Sequence, residues 1–216
     1  SKTFGEIVEI ERHTPRITAD DLVAMKAKGD DFVIVDGRTW AEYQRFNIPD
    51  GISCPNGELA LRIGEIVKSP KTRIVVNCAG RTRSIIGCQS LRNAGVSNPV
   101  VALQNGTMGW QIAGFEPAHG REAMAPQPDE ASLAIARQRA QALAVRHGVA
   151  SIDGQALARW LSDDDRTTYV FDVRLPEAYA AGHRPGSLNA PGGQLVQCTD
   201  AYAAVRHARM VLIDRD

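Results

Sequence analysis

The 216 residues carry 25 Lys plus Arg against 25 Asp plus Glu and are 44% hydrophobic, a composition that can bury a core in one large domain or in two of about 100 residues. The balanced charge provides no global field for nucleic acid or an anionic membrane, so any anion binding must be local. There is no apolar run of the roughly 18 residues a membrane span needs, and Ser1-Lys2-Thr3-Phe4-Gly5 lacks the apolar stretch of a secretory signal. A cytoplasmic chain is therefore expected.

From Ile17 onward, short apolar runs alternate with amphipathic helix patterns, the sequence form of an α/β fold with a parallel sheet flanked by helices. Thr18 or Asp20 caps a helix carrying Leu22, Val23 and Met25. Phe32-Val33-Ile34-Val35 reads as a buried strand, residues 40–46 as a short helix, and Ile52-Ser53-Cys54 as another short strand. A helix over 58–67 turns Leu59, Ile63 and Ile66 inward. Ile74-Val75-Val76 is the next strand, followed by a loop from Cys78, a helix over 82–93 and a last strand over 99–103.

The second half replays this order. Tyr169-Val170-Phe171-Asp172-Val173-Arg174 matches Val33-Ile34-Val35-Asp36-Gly37-Arg38 at an offset of 136, and the same offset superposes Tyr43 on Tyr179, Pro49 on Pro185, Pro55 on Pro191 and Leu59 on Leu195. A constant offset across separate pairs means duplication. It also sets Asp214 where the first copy has Cys78. The expected organisation is a first domain over 1–118, a linker plus helix over 119–150 that braces the two copies, and a partial second copy over 151–216. The second copy has no counterpart of residues 79–110, so it should expose apolar sheet, and further domains in a longer chain or a second molecule are expected to cover it.

Cys54, Cys78, Cys88 and Cys198 show no CxxC pair and no Cys/His metal spacing, so neither a metal site nor a disulfide framework is expected. Cys54 and Cys88 read as small buried hydrophobes. Cys78 differs because it ends a buried strand and leads through Ala79-Gly80-Arg81-Thr82-Arg83-Ser84 into a helix. Amides at a helix start have no intrahelical acceptor, and with the helix dipole they favour an anion in the bowl they line. Helix starts and nearby cations favour the reactive thiolate of a cysteine. Arg81 and Arg83 supply charge that can hold an anionic donor, Gly80 allows close approach of the backbone, and Asp36 with Arg38 reads as a supporting pair. Asn47 and Trp110 read as structural.

With these residues in order, the chain resembles the rhodanese (thiosulfate sulfurtransferase) family. The resemblance rests on Asp36-Gly37-Arg38, on Asn47-Ile48-Pro49-Asp50-Gly51-Ile52, on the loop from Cys78 to Ser84 and on Asn105-Gly106-Thr107-Met108-Gly109-Trp110. It implies a tandem protein in which one copy keeps the cysteine and the other has lost it. It further implies a double displacement through a Cys78 persulfide, with a small-molecule sulfur donor, a thiol or cyanide acceptor, and no cofactor. The family's loop commonly has glycine at its fourth position, where this chain has Arg81 after Gly80, so the bowl is expected to differ in shape. A Cdc25-type phosphatase shares the fold, but only four residues separate Cys78 from Arg83, a loop one residue short of what a phosphoryl group needs. A non-catalytic, redox or sulfur-relay module fits the same exposed thiol.

Overall fold

Runs of valine and isoleucine that are apolar at successive positions leave neither face of a strand to water, which is the condition met in the middle of a parallel sheet. In the computed structural model, which describes residues 2–67 and 69–214, these runs take that place. Strands β1 (Arg16–Ile17), β2 (Phe32–Asp36), β3 (Ile52–Ser53), β4 (Arg73–Asn77) and β5 (Val100–Leu103) form a wholly parallel sheet in the order β1-β5-β4-β2-β3. Alternate residues face opposite ways. Val35, Ile74 and Val76 pack with Leu59, Ile63, Ile85, Cys88 and Leu91, while Ile34, Val75 and Leu103 pack with Leu22, Met25 and Trp110.

The first of these faces is covered by α4 (Leu59–Ile66) and α5 (Thr82–Asn93), the second by α2 (Ala19–Lys28) and α6 (Gly106–Ile112). Thr18 starts α2 through a reciprocal capping box with Asp21, and Gly29 ends it in the left-handed region at φ 71°. Thr39 and Glu42 make the same box at the start of α3 (Trp40–Arg45). Because every strand is parallel, Asp36, Asn77 and Leu103 all finish at one edge of the sheet, where ligands of open α/β sheets bind.

Three features depart from the expectations. A helix α1 (Lys2–Arg12) precedes the first expected element, and its Val8 packs on the first core cluster. The proline- and glycine-rich stretch after residue 118 is not a free linker: Ala118 bridges Asn47, Met124 bridges Ser53, and Ala125 is buried in the core. The chain divides into compact units between Leu143 and Ala144, inside α7 (Glu130–His147), rather than at the expected boundaries of 118 and 150. Ser1 and Asp216, the outer ends of the expected domains, lie outside the described residues.

The second unit comprises α8 (Gly154–Leu161), β6 (Thr168–Asp172), α9 (Pro176–Ala181), β7 (Leu188–Asn189), α10 (Gly192–Gln197), α11 (Thr199–Tyr202) and β8 (Arg209–Ile213), with a parallel sheet in the order β7-β6-β8. Its registers repeat those of the first sheet 136 residues on: Val35 opposite Ile52 becomes Phe171 opposite Leu188, and Phe32 opposite Arg73 becomes Thr168 opposite Arg209. The fold is therefore duplicated down to strand register. Met210 and Leu212 are half exposed where their counterparts Ile74 and Val76 lie under α4 and α5.

Among the described residues no helix is long and apolar enough to cross a membrane. Leu91, fully buried on α5, and Leu188, 56% exposed on β7, provide a test of the packing. Leu91→Ala should cost about 3 kcal/mol and Leu188→Ala under about 1 kcal/mol in urea unfolding; equal costs would contradict the core placement.

Candidate active site

Strand β4 delivers Asn77 and Cys78 to the shared edge of the sheet, and α5 begins only four residues later at Thr82. Arg81 occupies the cap position of α5 without a side-chain cap, so the helix's first amides have no acceptor within the helix. Two carbonyls of the same loop are held by α6. Thr107 donates to the Cys78 carbonyl from its backbone N at 2.8 Å and from Oγ1 at 3.1 Å, and the Met108 amide donates to the Ala79 carbonyl at 2.9 Å.

In a trans peptide the N–H points opposite to the C=O. Holding those carbonyls against α6 therefore turns the Ala79 and Gly80 amides to the other side of the loop. Gly106 makes the approach possible. Its φ is 54°, and a Cβ there would lie 2.2 Å from the Cys78 carbonyl oxygen. By contrast, a Cβ on Gly80 would meet nothing within 4 Å, so packing of the protein itself does not require that glycine.

A buried polar chain holds Thr107 in turn. Asn77 Nδ2 donates to Thr107 Oγ1 at 3.0 Å and to Asp36 Oδ2 at 2.9 Å. Arg38 grips both oxygens of Asp36 through Nε and Nη2 at 2.8 and 2.7 Å, and Nη2 also reaches the Phe46 carbonyl. Asp36 and Arg38 are each only 1% exposed. They reach Cys78 through Asn77 and Thr107, as positioning residues. The second unit repeats the pair: Arg174 Nε and Nη2 donate to Asp172 at 2.9 and 2.6 Å, and Arg174 also reaches the Gly182 carbonyl.

The cysteines separate by environment. Cys54 and Cys88 lie within the apolar core, where burial pushes both thiols up to about 12. Cys78 is also buried, yet it belongs to neither apolar cluster. Cys198 is half-buried in the second unit.

The expected substrate-facing side chains are turned elsewhere. Arg83 makes a bidentate pair with Glu42, at 2.8 and 2.6 Å, and its carbonyl accepts from Asn56 Nδ2 at 2.8 Å. Burial would lower the Arg83 guanidinium, but Glu42, with further help from Cys78 and Asp36, raises it. Burial would likewise raise Glu42, yet hydrogen bonds from Arg83 and Thr39 bring it down to about 2.

Arg81 pairs with Glu6 and Glu9 of α1. Ser84 Oγ donates to the Arg81 carbonyl at 2.8 Å inside the helix start, and Thr82 lies against Gly5 of α1. Arg81, Arg83 and Ser84 thus make contacts within the protein that brace the loop. Glu6, Glu9, Glu42 and Asn56 went unnoticed in the sequence, although the capping box of Thr39 with Glu42 was a readable local signal, and Thr107 entered only as part of a motif, without a role. Asn47, read as structural, is fully buried, donates to the Tyr43 carbonyl at 3.0 Å and pairs with Ala118 through its backbone. Trp110 donates to the Glu116 carbonyl at 2.9 Å from the second core cluster. Among the described residues no group of three His, Cys, Asp or Glu is placed to hold a metal ion.

Comparison with known proteins decides the family. The family described as "Rhodanese-like domain" matches residues 18–113. A protein named "Sulfurtransferase" from Allochromatium vinosum is 31% identical over 112 residues, which cover 51% of this chain and 95% of that relative. The chain belongs to the rhodanese family. A rhodanese-family crystal structure titled thiosulfate sulfurtransferase, from Pseudomonas aeruginosa, superposes with a TM-score of 0.95 at 53% identity over 100% of this chain. The chain spans 41% of the length of that relative.

Glu42 ties the rhodanese loop to pH. Its carboxyl is held at about 2 against about 4.3 in an unfolded chain, so its contribution is present above about pH 4.5 and is lost as pH falls toward 2. Glu42→Gln should lower stability at pH 7 by on the order of 1 kcal/mol, since the pair is partly solvated. Thermal melts should show the gap from wild type closing between pH 4.5 and 2; a gap constant across that range would exclude a role for the Glu42 charge.

Proposed function

We propose that this chain is a sulfurtransferase that moves sulfane sulfur from thiosulfate to a thiophilic acceptor through a persulfide on Cys78. The observation that carries the reading is the Cys78 loop, whose carbonyls are bound by α6 and whose amides face the opposite side at the start of α5. An amide-lined bowl stabilises negative charge on a sulfur without any metal or general base. The name of the relative from Pseudomonas aeruginosa, thiosulfate sulfurtransferase, supports thiosulfate as the donor.

The Cys78 thiolate attacks the outer sulfur of thiosulfate. A new sulfur–sulfur bond forms to Cys78, the donor's own sulfur–sulfur bond breaks, and its electron pair leaves on sulfite. The persulfide is then an anion whose terminal sulfur sits among the loop amides. Cyanide or a thiolate attacks that terminal sulfur, and the bond to Cys78 breaks with its electron pair returning to the thiolate. No proton need move in either step when both nucleophiles are ionised.

All four cysteines are free thiols, which suits the reducing cytoplasm in which we place the reaction. Donor and acceptor are small molecules, and the reaction calls for neither nucleic acid nor membrane. The second copy carries Asp214 in place of the cysteine, so it forms no persulfide and acts as a docking partner in a tandem protein.

Intact mass spectrometry after incubation with thiosulfate tests the reading. Wild type should gain one sulfur, about 32 Da, and lose it on adding cyanide, while Cys78→Ser gains nothing. A wild type that takes up no sulfur, or a Cys78→Ser variant that still does, would overturn the assignment.

A further inference from the structure

Helix α1 lies on the loop at two points. Gly5 is buried, and a Cβ there would stand 3.1 Å from Thr82 Cα, so the helix backbone rests directly on the first residue of α5. The next residue, Glu6, accepts from Arg81 Nη1 through Oε1 at 2.9 Å, and one turn along Glu9 Oε2 accepts from Arg81 Nη2. Arg81 follows Cys78 by three residues, so the two backbones are within about 11 Å of each other, close to one Debye length at about 0.1 M ionic strength.

The charges around the loop cancel. Arg81 is paired with Glu6 and Glu9, Arg16 of β1 with Glu9, Arg83 with Glu42 of α3, and Arg38 with Asp36 of β2. Four guanidinium groups thus face four carboxylates, and the attraction for an anion falls to the amides and the dipole of α5. Of these cations, Arg81 is held by two carboxylates of α1: its side chain is 34% exposed, that of Glu6 35% and that of Glu9 11%.

We propose that α1 sets the donor preference of the loop, with Glu6 and Glu9 as specificity-determining residues that withhold the Arg81 charge from the site. The preferred donors are then sulfane-sulfur compounds of low charge, such as neutral or singly charged persulfides, and doubly charged thiosulfate is used below the capacity of the loop. The inference rests on Cys78 being the sulfur carrier.

Freeing one positive charge near a dianion at roughly 8 Å in a watery setting should raise kcat/KM for thiosulfate about three- to tenfold at low ionic strength. Sulfur transfer to cyanide is measured with thiosulfate and with a neutral organic persulfide, for wild type, Glu6→Gln, Glu6→Gln/Glu9→Gln, and the latter carrying Arg81→Gln. The double variant should show the full gain with thiosulfate and little change with the neutral donor. Glu6→Gln alone, which leaves the Glu9 pairs in place, should show about a twofold gain and keeps the test open if the double variant folds poorly. The gain should shrink in 1 M salt, where the screening length is about 3 Å, and fall by most of its size with Arg81→Gln, the remainder coming from Arg16, which Glu9→Gln also releases.

A gain equal for both donors, a gain undiminished by Arg81→Gln, or folded single and double variants with unchanged thiosulfate use would each overturn the proposal. The persulfide mass gain on wild type separates such an outcome from failure of the underlying reading, since a wild type without that gain sinks both.

Discussion

The loop between β4 and α5 is shaped by what holds its carbonyls. Two amides at the start of α6 and the Thr107 hydroxyl take the oxygens of Cys78 and Ala79, and planar trans peptides then send the following N–H groups the other way. The arrangement depends on Gly106, where any side chain would collide with the Cys78 carbonyl. Asn77, Asp36 and Arg38 hold Thr107 from behind, all buried and joined by hydrogen bonds of 2.7 to 3.0 Å. The direction of the Ala79 and Gly80 N–H groups is therefore fixed by the fold itself, and donors fixed in advance are the condition for electrostatic stabilisation without reorganisation.

Arginine residues next to a reactive loop invite a substrate-binding reading, yet every one near this loop is committed to a carboxylate. Arg83 with Glu42 fastens α5 to α3, Arg81 with Glu6 and Glu9 fastens it to α1, and Arg38 with Asp36 fastens the end of β2. Buried pairs of this kind contribute geometry more dependably than stability. The second unit separates the two purposes. It keeps the Asp172–Arg174 pair, and its Tyr179 hydroxyl reaches the Ser187 carbonyl at 2.7 Å as Tyr43 reaches that of Gly51, although Asp214 stands where the first copy has Cys78. The aspartate–arginine pair is thus part of the scaffold that both copies share.

Much of this was legible in the sequence because it rests on local pattern. The apolar runs of β2 and β4, the extent of α5 and the cap at Thr18 follow from periodicity and side-chain chemistry within a few residues. The duplication was legible because a constant offset of 136 aligns unlike residue types at once. The destinations of Arg81 and Arg83 were not, since their partners lie 75, 72 and 41 residues away and nothing local distinguishes a braced arginine from a free one. The stretch after residue 118 misled for a related reason: proline and glycine mark irregular backbone, and irregular backbone can still lie along a sheet edge, as the bridges of Ala118 and Met124 do.

The proposed chemistry rests on one sulfur atom, that of Cys78, between the end of β4 and the start of α5. A crystal structure of protein loaded with thiosulfate addresses it most directly. The expected result is a second sulfur bonded to Cys78 Sγ, within hydrogen-bond reach of the amides of residues 80–84, with the Cys78 and Ala79 carbonyls still bound by Thr107 and Met108. An added sulfur on another cysteine, or a Cys78 persulfide pointing away from those amides, would contradict it.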